Sequence, residues 1–311
     1  MAKRFEPHTA RAEIAMAGAR GVTSEVLSKQ PRKDLIRNTI FASVLLLTVA
    51  IALAGLGLLI GKNLVDGWSR LNLDLITQNN SSIAENAGLR NALIGTLWIM
   101  AFVILMLVPL GVGAALFLEE YGSRTSRVTR LIEVNIQNLA AVPSIIYGLL
   151  GLAFIARAPL DLGYVVLTAS MTLTLLVLPV VILASREAIR AVPDSIREGS
   201  LALGATKWQT IRRQVLPASI PGIATGVILA ISRAIGETAP LIPLGAATYV
   251  SFTPGPFTEF TAMPLAVFSW VKQPDPEFQT LAAAGVLVMI AVLVVMNSFA
   301  IWLRNRYEQS W

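Results

Sequence analysis

The stretch Ile40–Ile60, with the sequence IFASVLLLTVAIALAGLGLLI, decides the fold class because it contains no charged side chain. About 20 apolar residues are needed to cross the roughly 30 Å hydrocarbon core of a bilayer as a helix. A helix also satisfies its own backbone hydrogen bonds, which lipid cannot do. The stretch therefore predicts a transmembrane helix, and the chain is predicted to be an all-α integral membrane protein.

The composition supports a membrane protein and excludes several kinds of site. Of the 311 residues, 55% are hydrophobic and 14% are charged, whereas about a quarter of the residues are charged in a soluble domain. The chain has no cysteine, and its one histidine is His8. A membrane enzyme would need a nucleophile, a base or a metal at membrane depth. We therefore expect no catalytic residue, no metal site and no cofactor in this chain, and we expect one domain with tails.

Five further apolar runs bring the predicted number of spans to six. The third and fourth runs are separated only by residues 157–161, which predicts a tight hairpin, and the apolar segment 262–271 is too short to span and predicts a helix lying on the outer surface. The five runs are Ala92–Leu118, Val134–Ala156, Leu162–Ser185, Ile220–Ala247 and Phe278–Leu303.

The orientation follows from the distribution of lysine and arginine, which mark cytoplasmic loops. Basic residues are concentrated before the first span, between the second and third, between the fourth and fifth, and after the sixth. The net charge of +6 therefore reports topology, not nucleic-acid binding, and both termini are predicted to be cytoplasmic. The predicted organisation is a tail (1–36), a first span (37–62), an extracytoplasmic loop (63–91), a core of five spans (92–304) that includes a cytoplasmic loop (186–219), and a second tail (305–311).

The 186–219 segment contains regular helix start and stop signals. Pro193 suits a first helical turn, Gly204 suits a C-terminal cap, and Thr206 with Gln209 three residues later forms a capping box. Pro217 is expected to end the second helix. The segment is therefore predicted to contain two short helices.

The same segment resembles the EAA loop of type I ABC-importer permeases in its Glu198, its Gly204 and its later Leu216-Pro217, although Gly199 and Ser200 replace the usual pair of alanines. The resemblance implies the type I permease fold and a surface that receives a separate ATPase. The chain has no Walker motif, so ATP and magnesium are expected to bind the partner. The implied coupling residues are Glu198, Gly199, Ser200, Leu203, Gly204 and Ala205.

Two charged residues, Arg233 and Glu237, interrupt the fifth apolar run. Arg233 lies about 13 residues, and hence roughly 20 Å, beyond Ile220, so it is expected to lie well inside the membrane. A charge there costs at least about 2.5 kcal/mol, so Arg233 is expected to face the bundle interior and to have a partner. Glu237 is in reach at the i+4 position of a helix. An arginine fork can present several donors to an oxyanion, and Gly236 would allow close backbone approach.

The run SRAIGETAPL (232–241) resembles the corresponding span of phosphate-specific transport permeases, and its Ser232 and Ala239-Pro240 resemble the A-type subunit (PstA). The runs 140–153, 202–223 and 276–288 resemble other parts of the same proteins. The resemblance implies a phosphate pathway lined by Arg233, Glu237, Ser232 and Thr238. It also implies a homologous C-type permease, an ATPase dimer and an extracytoplasmic phosphate-binding protein as partners, in the inner membrane of a prokaryote.

Some alternatives stay open at this point. An arginine in a water-filled cavity does not itself distinguish tetrahedral anions, so sulfate or molybdate is a second candidate substrate. A secondary transporter is a less favoured reading, since it would leave the 186–219 segment unexplained. Pro143 in the third span predicts either a simple kink or a broken helix that lines the cavity. Asn297 in the last span is a candidate for a hydrogen bond between helices.

Overall fold

The structure is a computed structural model that describes residues 32–122, 126–245, 250 and 252–307. In these residues the secondary structure is helical, apart from one isolated antiparallel bridge between Val165 and Glu259. The all-α prediction is therefore confirmed. Most of the predicted N-terminal tail, including His8, lies outside the described residues.

Eleven α-helices occur in the described residues, and three of them continue directly into π-helical segments. The π-helical segments are Phe117–Tyr121 after α3, Gly151–Ala156 after α5 and Ile211–Val215 after α8. The helices are α1 (Arg32–Gly67), α2 (Leu73–Thr77), α3 (Arg90–Leu116), α4 (Arg127–Ala140), α5 (Ser144–Leu150), α6 (Val166–Arg190), α7 (Asp194–Ala202), α8 (Lys207–Thr210), α9 (Leu216–Gly236), α10 (Met263–Val271) and α11 (Pro276–Tyr307).

The described residues divide into two compact units at Gly61. The described part of the first unit is the start of α1, in which every side chain from Ile36 to Ile60 is exposed. A helix that is apolar on all faces is typical of a membrane span. The packed core lies in the second unit.

Among the described residues, five helices are long and apolar enough to cross a membrane, and the number is six if α4 and α5 count together as one broken span. The break occurs at Pro143, the N-cap of α5, and the two parts are bent by 106°. The helix is therefore broken at Pro143 and not simply kinked. Residues 144–156 extend only about 20 Å as a helix, which is shorter than the hydrocarbon core.

The predicted fifth span, Ile220–Ala247, is wrong at both ends. The helical segment runs from Lys207 to Gly236, and Pro217 does not end it but lies in the first turn of α9. Pro217 closely follows the π-helical segment Ile211–Val215, at the point where the helix changes its hydrogen-bonding pattern. The helix ends at Gly236 because Pro240 and Pro243 follow closely, and proline disfavours helix in the residue before it.

Helix α6 lies at the centre of the second unit and packs against both α3 and α9. The crossing with α9 is close because it is made by small residues. A Cβ atom added to Gly226 would lie 2.4 Å from the Cβ of Ala184, and one added to Gly222 would lie 2.6 Å from the Cβ of Ala188. Small residues allow helix backbones to approach closely in membranes.

A second core cluster forms around α10, the predicted surface helix. Its existence is confirmed, but its predicted position on the surface is wrong, because Met263, Ala266 and Trp270 are fully buried. These side chains pack with Leu89 and with residues of α11 such as Phe278. The helix is therefore a core element of the second unit.

Candidate functional site

The 186–219 segment forms the two helices that its capping signals predicted. Pro193 is the N-cap of α7, and the capping box between Thr206 and Gln209 is present in full at the start of α8. Gly204 has a φ of +82°, a left-handed conformation that glycine adopts without steric cost. The turn between α7 and α8 is thereby fixed by local interactions.

The turn between these helices projects an apolar side chain into solvent. Leu203 is 90% exposed, and next to it lies a groove of about 560 Å³. Five of the six predicted coupling residues line this groove, and Glu198 is exposed on the same helix. The side-chain oxygens of Ser200 and Thr210 are 2.9 Å apart and join α7 to the second helix. The five lining residues are Gly199, Ser200, Leu203, Gly204 and Ala205.

A network of ion pairs, which the sequence did not predict, lies beside this segment. Arg186 on α6 binds Glu119 at 2.7 Å and Glu133 at 2.6 Å, and Arg190 binds Glu119 at 2.7 Å. The side chains of Arg186 and Glu119 are 8% and 6% exposed. The sequence does contain two signals for it. Arg186 and Arg190 lie four residues apart at the end of one span, and Glu119-Glu120 is a pair of acidic residues at the end of another.

Arg233 lies in the last turn of α9 and is exposed, and Glu237 is the half-buried residue that follows the helix. The ion pair that a continuous helix would allow between them is not formed: in the part of the chain that the structure describes, no ion pair joins the two. The i,i+4 geometry requires a helix that continues through both residues. Glu237 instead has extended backbone angles, φ −82° and ψ 113°.

The broken span packs against the segment that follows α9. Within the span, the hydroxyl of Tyr147 donates to the carbonyl of Leu139 across the break at 2.8 Å. The next residue, Gly148, packs so closely on Pro240 that an added Cβ would lie 2.4 Å from the Pro240 carbonyl oxygen. Helix α5 therefore supports the segment that begins at Glu237.

The other residues predicted near the pathway have different environments. A Cβ added to Gly236 would meet no described atom within 4 Å, so this glycine borders open space. Ser232 Oγ lies 2.8 Å from the Ile228 carbonyl and 2.9 Å from Asn297 Oδ1, which confirms the interhelical role of Asn297. Thr238 is half-buried, and its carbonyl accepts from the Leu241 amide.

Comparison with known proteins agrees with this architecture. A family profile described as "Binding-protein-dependent transport system inner membrane component" matches residues 108–309. The chain belongs to this family. It is therefore a multi-pass inner-membrane transport subunit and not an enzyme, as the sequence predicted.

Several curated relatives are similar over most of their length. A probable ABC transporter permease, YqgI of Bacillus subtilis, is 34% identical over 77% of this chain and 85% of its own. The phosphate transport system permease PstA of Haemophilus influenzae is 32% identical over 84% of this chain and 92% of its own. PstA of Yersinia pestis is 34% identical over 82% of this chain and 87% of its own.

Solved structures support the fold. A bacterial alginate ABC transporter, in complex with its pentasaccharide-bound periplasmic protein, has a chain that matches with a TM-score of 0.65 at 18% identity, over 89% of this chain and 98% of its own. A chain of the MetNI methionine ABC transporter, in an inward-facing conformation, matches with a TM-score of 0.56 at 15% identity. The match covers 71% of this chain and 96% of that one. The predicted type I permease fold is confirmed.

Proposed function

We propose that this chain is a permease subunit of an ATP-driven phosphate importer and forms half of its translocation pathway. The observation that carries the proposal is the similarity to PstA proteins, at 32% and 34% identity over more than four fifths of both chains. The resemblance of the SRAIGETAPL run (232–241), at the end of α9, to phosphate-specific permeases also supports the proposal. The protein would lie in a prokaryotic inner membrane with its N-terminus in the cytoplasm.

The proposed phosphate pathway passes the end of α9. Arg233 is exposed on the single chain beside Gly236, which borders open space. A guanidinium can donate several hydrogen bonds to an oxyanion, and Glu237 nearby would limit the net positive charge and so prevent tight capture. Ser232 and Thr238 complete the proposed lining, although the Ser232 hydroxyl already bonds within the protein.

The proposed coupling surface is the turn between α7 and α8. A side chain as apolar and as exposed as Leu203 is stabilised when a partner covers it, and the adjacent groove could receive part of that partner. The proposed coupling residues are those predicted from the sequence, Glu198, Gly199, Ser200, Leu203, Gly204 and Ala205. The partner would be an ATPase dimer that binds ATP and magnesium, so this chain needs no cofactor.

Two further partners complete the proposed transporter. A homologous C-type permease would cover the exposed side of Arg233 and close the pathway. An extracytoplasmic binding protein would deliver phosphate to the loops that contain few basic residues, and it would supply most of the substrate selectivity. Sulfate or molybdate is the alternative substrate, because a single arginine does not select among tetrahedral oxyanions.

The pathway is tested by phosphate uptake into proteoliposomes that contain all four components. Arg233→Gln should assemble normally and lose uptake, because glutamine keeps the length of a polar side chain but removes the charge. Arg212→Gln is the matched control, since Arg212 is an exposed arginine on the π-helical segment before α9. Normal uptake by the Arg233 variant would remove this residue from the pathway.

A further inference from the structure

Arg197, on the first turns of α7, binds groups from three different parts of the fold. Its Nε donates to Glu120 at 3.0 Å, in the π-helical segment that follows α3. Its Nη2 donates to the carbonyl of Ile189 at 2.8 Å, near the end of α6, and its Nη1 donates to the carbonyl of Val192 at 2.5 Å. One guanidinium therefore connects α7 to the ends of two membrane spans.

The environment of Arg197 makes these contacts strong and specific to arginine. The side chains of Arg197 and Glu120 are only 18% and 9% exposed, so water competes weakly with the pair. The carbonyl of Ile189, in the last turn of α6, accepts from Arg197 at 2.8 Å and also from the Val192 amide at 3.3 Å. Lysine has a single ammonium group and cannot reproduce the planar arrangement of three donor nitrogens.

The same ends of α3 and α6 are held to each other by a second group of ion pairs. Glu119, the neighbour of Glu120, accepts from Arg186 and Arg190 of α6, and Arg186 also binds Glu133 of α4. The charged cluster thus joins α3, α4 and α6 into one assembly. Arg197 extends this assembly to α7, the helix that carries the proposed coupling residues.

Other contacts hold α7 in place when Arg197 is removed. Ile196 packs on a core cluster that contains Val192 and Val215, and Ser200 contacts Thr210. The same cluster contains Ala115 of α3 and Ile189 of α6, so α7 also has an apolar contact with both spans. Loss of Arg197 should therefore leave α7 folded and packed on this cluster, while removing the hydrogen bonds and the ion pair that fix α7 to Glu120 and to the end of α6.

We propose that Arg197 is a positioning residue that transmits displacement of α7 to α3 and α6. The inference rests on the proposed function, in which an ATPase moves α7. In this account ATP hydrolysis drives transport only when α7 and these spans move together. Without Arg197 the ATPase still docks and hydrolyses ATP, but the movement is not transmitted and less phosphate crosses for each ATP consumed.

The first test measures phosphate transported per ATP hydrolysed in the reconstituted complex. Arg197→Ala should lower this ratio by about tenfold, within the usual range of coupling between sites, while complex yield and ATP hydrolysis stay near wild type. Arg197→Lys should give an intermediate ratio. Glu120→Gln should also lower it, and the double variant should be no worse than the more affected single variant, as expected for residues that act as one pair. Arg212→Ala is the control and should not change the ratio.

The outcomes separate this inference from the proposed function. Phosphate uptake by the wild-type complex tests the proposed function. The role of Arg197 is tested by comparing phosphate transported per ATP hydrolysed in the Arg197→Ala variant with the wild-type value. An unchanged ratio in Arg197→Ala would overturn the inference, and so would a fall in uptake that merely follows a fall in complex yield.

A second test does not depend on the substrate. The chain has no cysteine, so spin labels at Phe117→Cys and Glu198→Cys report the separation of α3 and α7, because both residues are exposed. The labelled protein that retains Arg197 should give one narrow distribution of distances between the two labels. The labelled Arg197→Ala variant should give a broad distribution. A narrow distribution in both proteins would contradict the proposed connection.

Discussion

Replacing Gly226 with alanine places a methyl group in the closest part of the crossing between α6 and α9. The new Cβ would lie 2.4 Å from the Cβ of Ala184, whereas carbon atoms in ordinary contact are about 3.5–4.0 Å apart. The two helices must therefore separate by about 1 Å at this point. Overpacking of this kind costs about 1–3 kcal/mol. Alanine recovers part of that cost, up to about 1 kcal/mol, through its higher helix propensity.

The assay is thermal unfolding of the purified complex in detergent, with Gly113→Ala as the matched control. Gly113 also lies inside a membrane helix, but a Cβ added to it would meet no described atom within 4 Å. The control should therefore be as stable as wild type or more stable, and the Gly226 variant should unfold at a lower temperature. Equal stability of the two variants would refute the close crossing.

Two further predictions concern the coupling surface and the contact between α9 and α11. Leu203→Asp should weaken binding of the ATPase, because a charged group replaces an apolar one at the proposed contact. Co-purification of the ATPase measures this binding, and unchanged binding would exclude Leu203 from the contact. Asn297→Leu should lower stability by about 0.6 kcal/mol, the typical value for a hydrogen bond between membrane helices, without changing the KM for phosphate. A large rise in KM would instead indicate that the Ser232–Asn297 pair shapes the pathway.

The features that the sequence predicted correctly depend on local signals. Apolar runs predicted the spans because their length must match the membrane. The two helices of the 186–219 segment followed from Gly204 and from the capping box of Thr206 and Gln209, which act within a few residues of each other. The residues proposed for coupling lie in and next to one turn for the same reason.

The failures have a different origin, because each depends on where a helix ends or on contacts between distant residues. The i+4 reach of Glu237 from Arg233 assumed a continuous helix, but the backbone becomes extended at Glu237 ahead of Pro240. The ion pair of Glu119 with Arg186 joins residues 67 positions apart, so no local pattern reveals it. The position of α10 in a core likewise depends on its packing against Leu89 and α11.

The central claim is that this subunit conducts phosphate when a partner ATPase hydrolyses ATP. The most direct measurement is uptake of radiolabelled phosphate into proteoliposomes that contain this subunit, a C-type permease, the ATPase and the binding protein, with excess sulfate as competitor. The account predicts uptake that requires ATP and is not reduced by sulfate. Uptake that proceeds without ATP, or that sulfate abolishes, would contradict it.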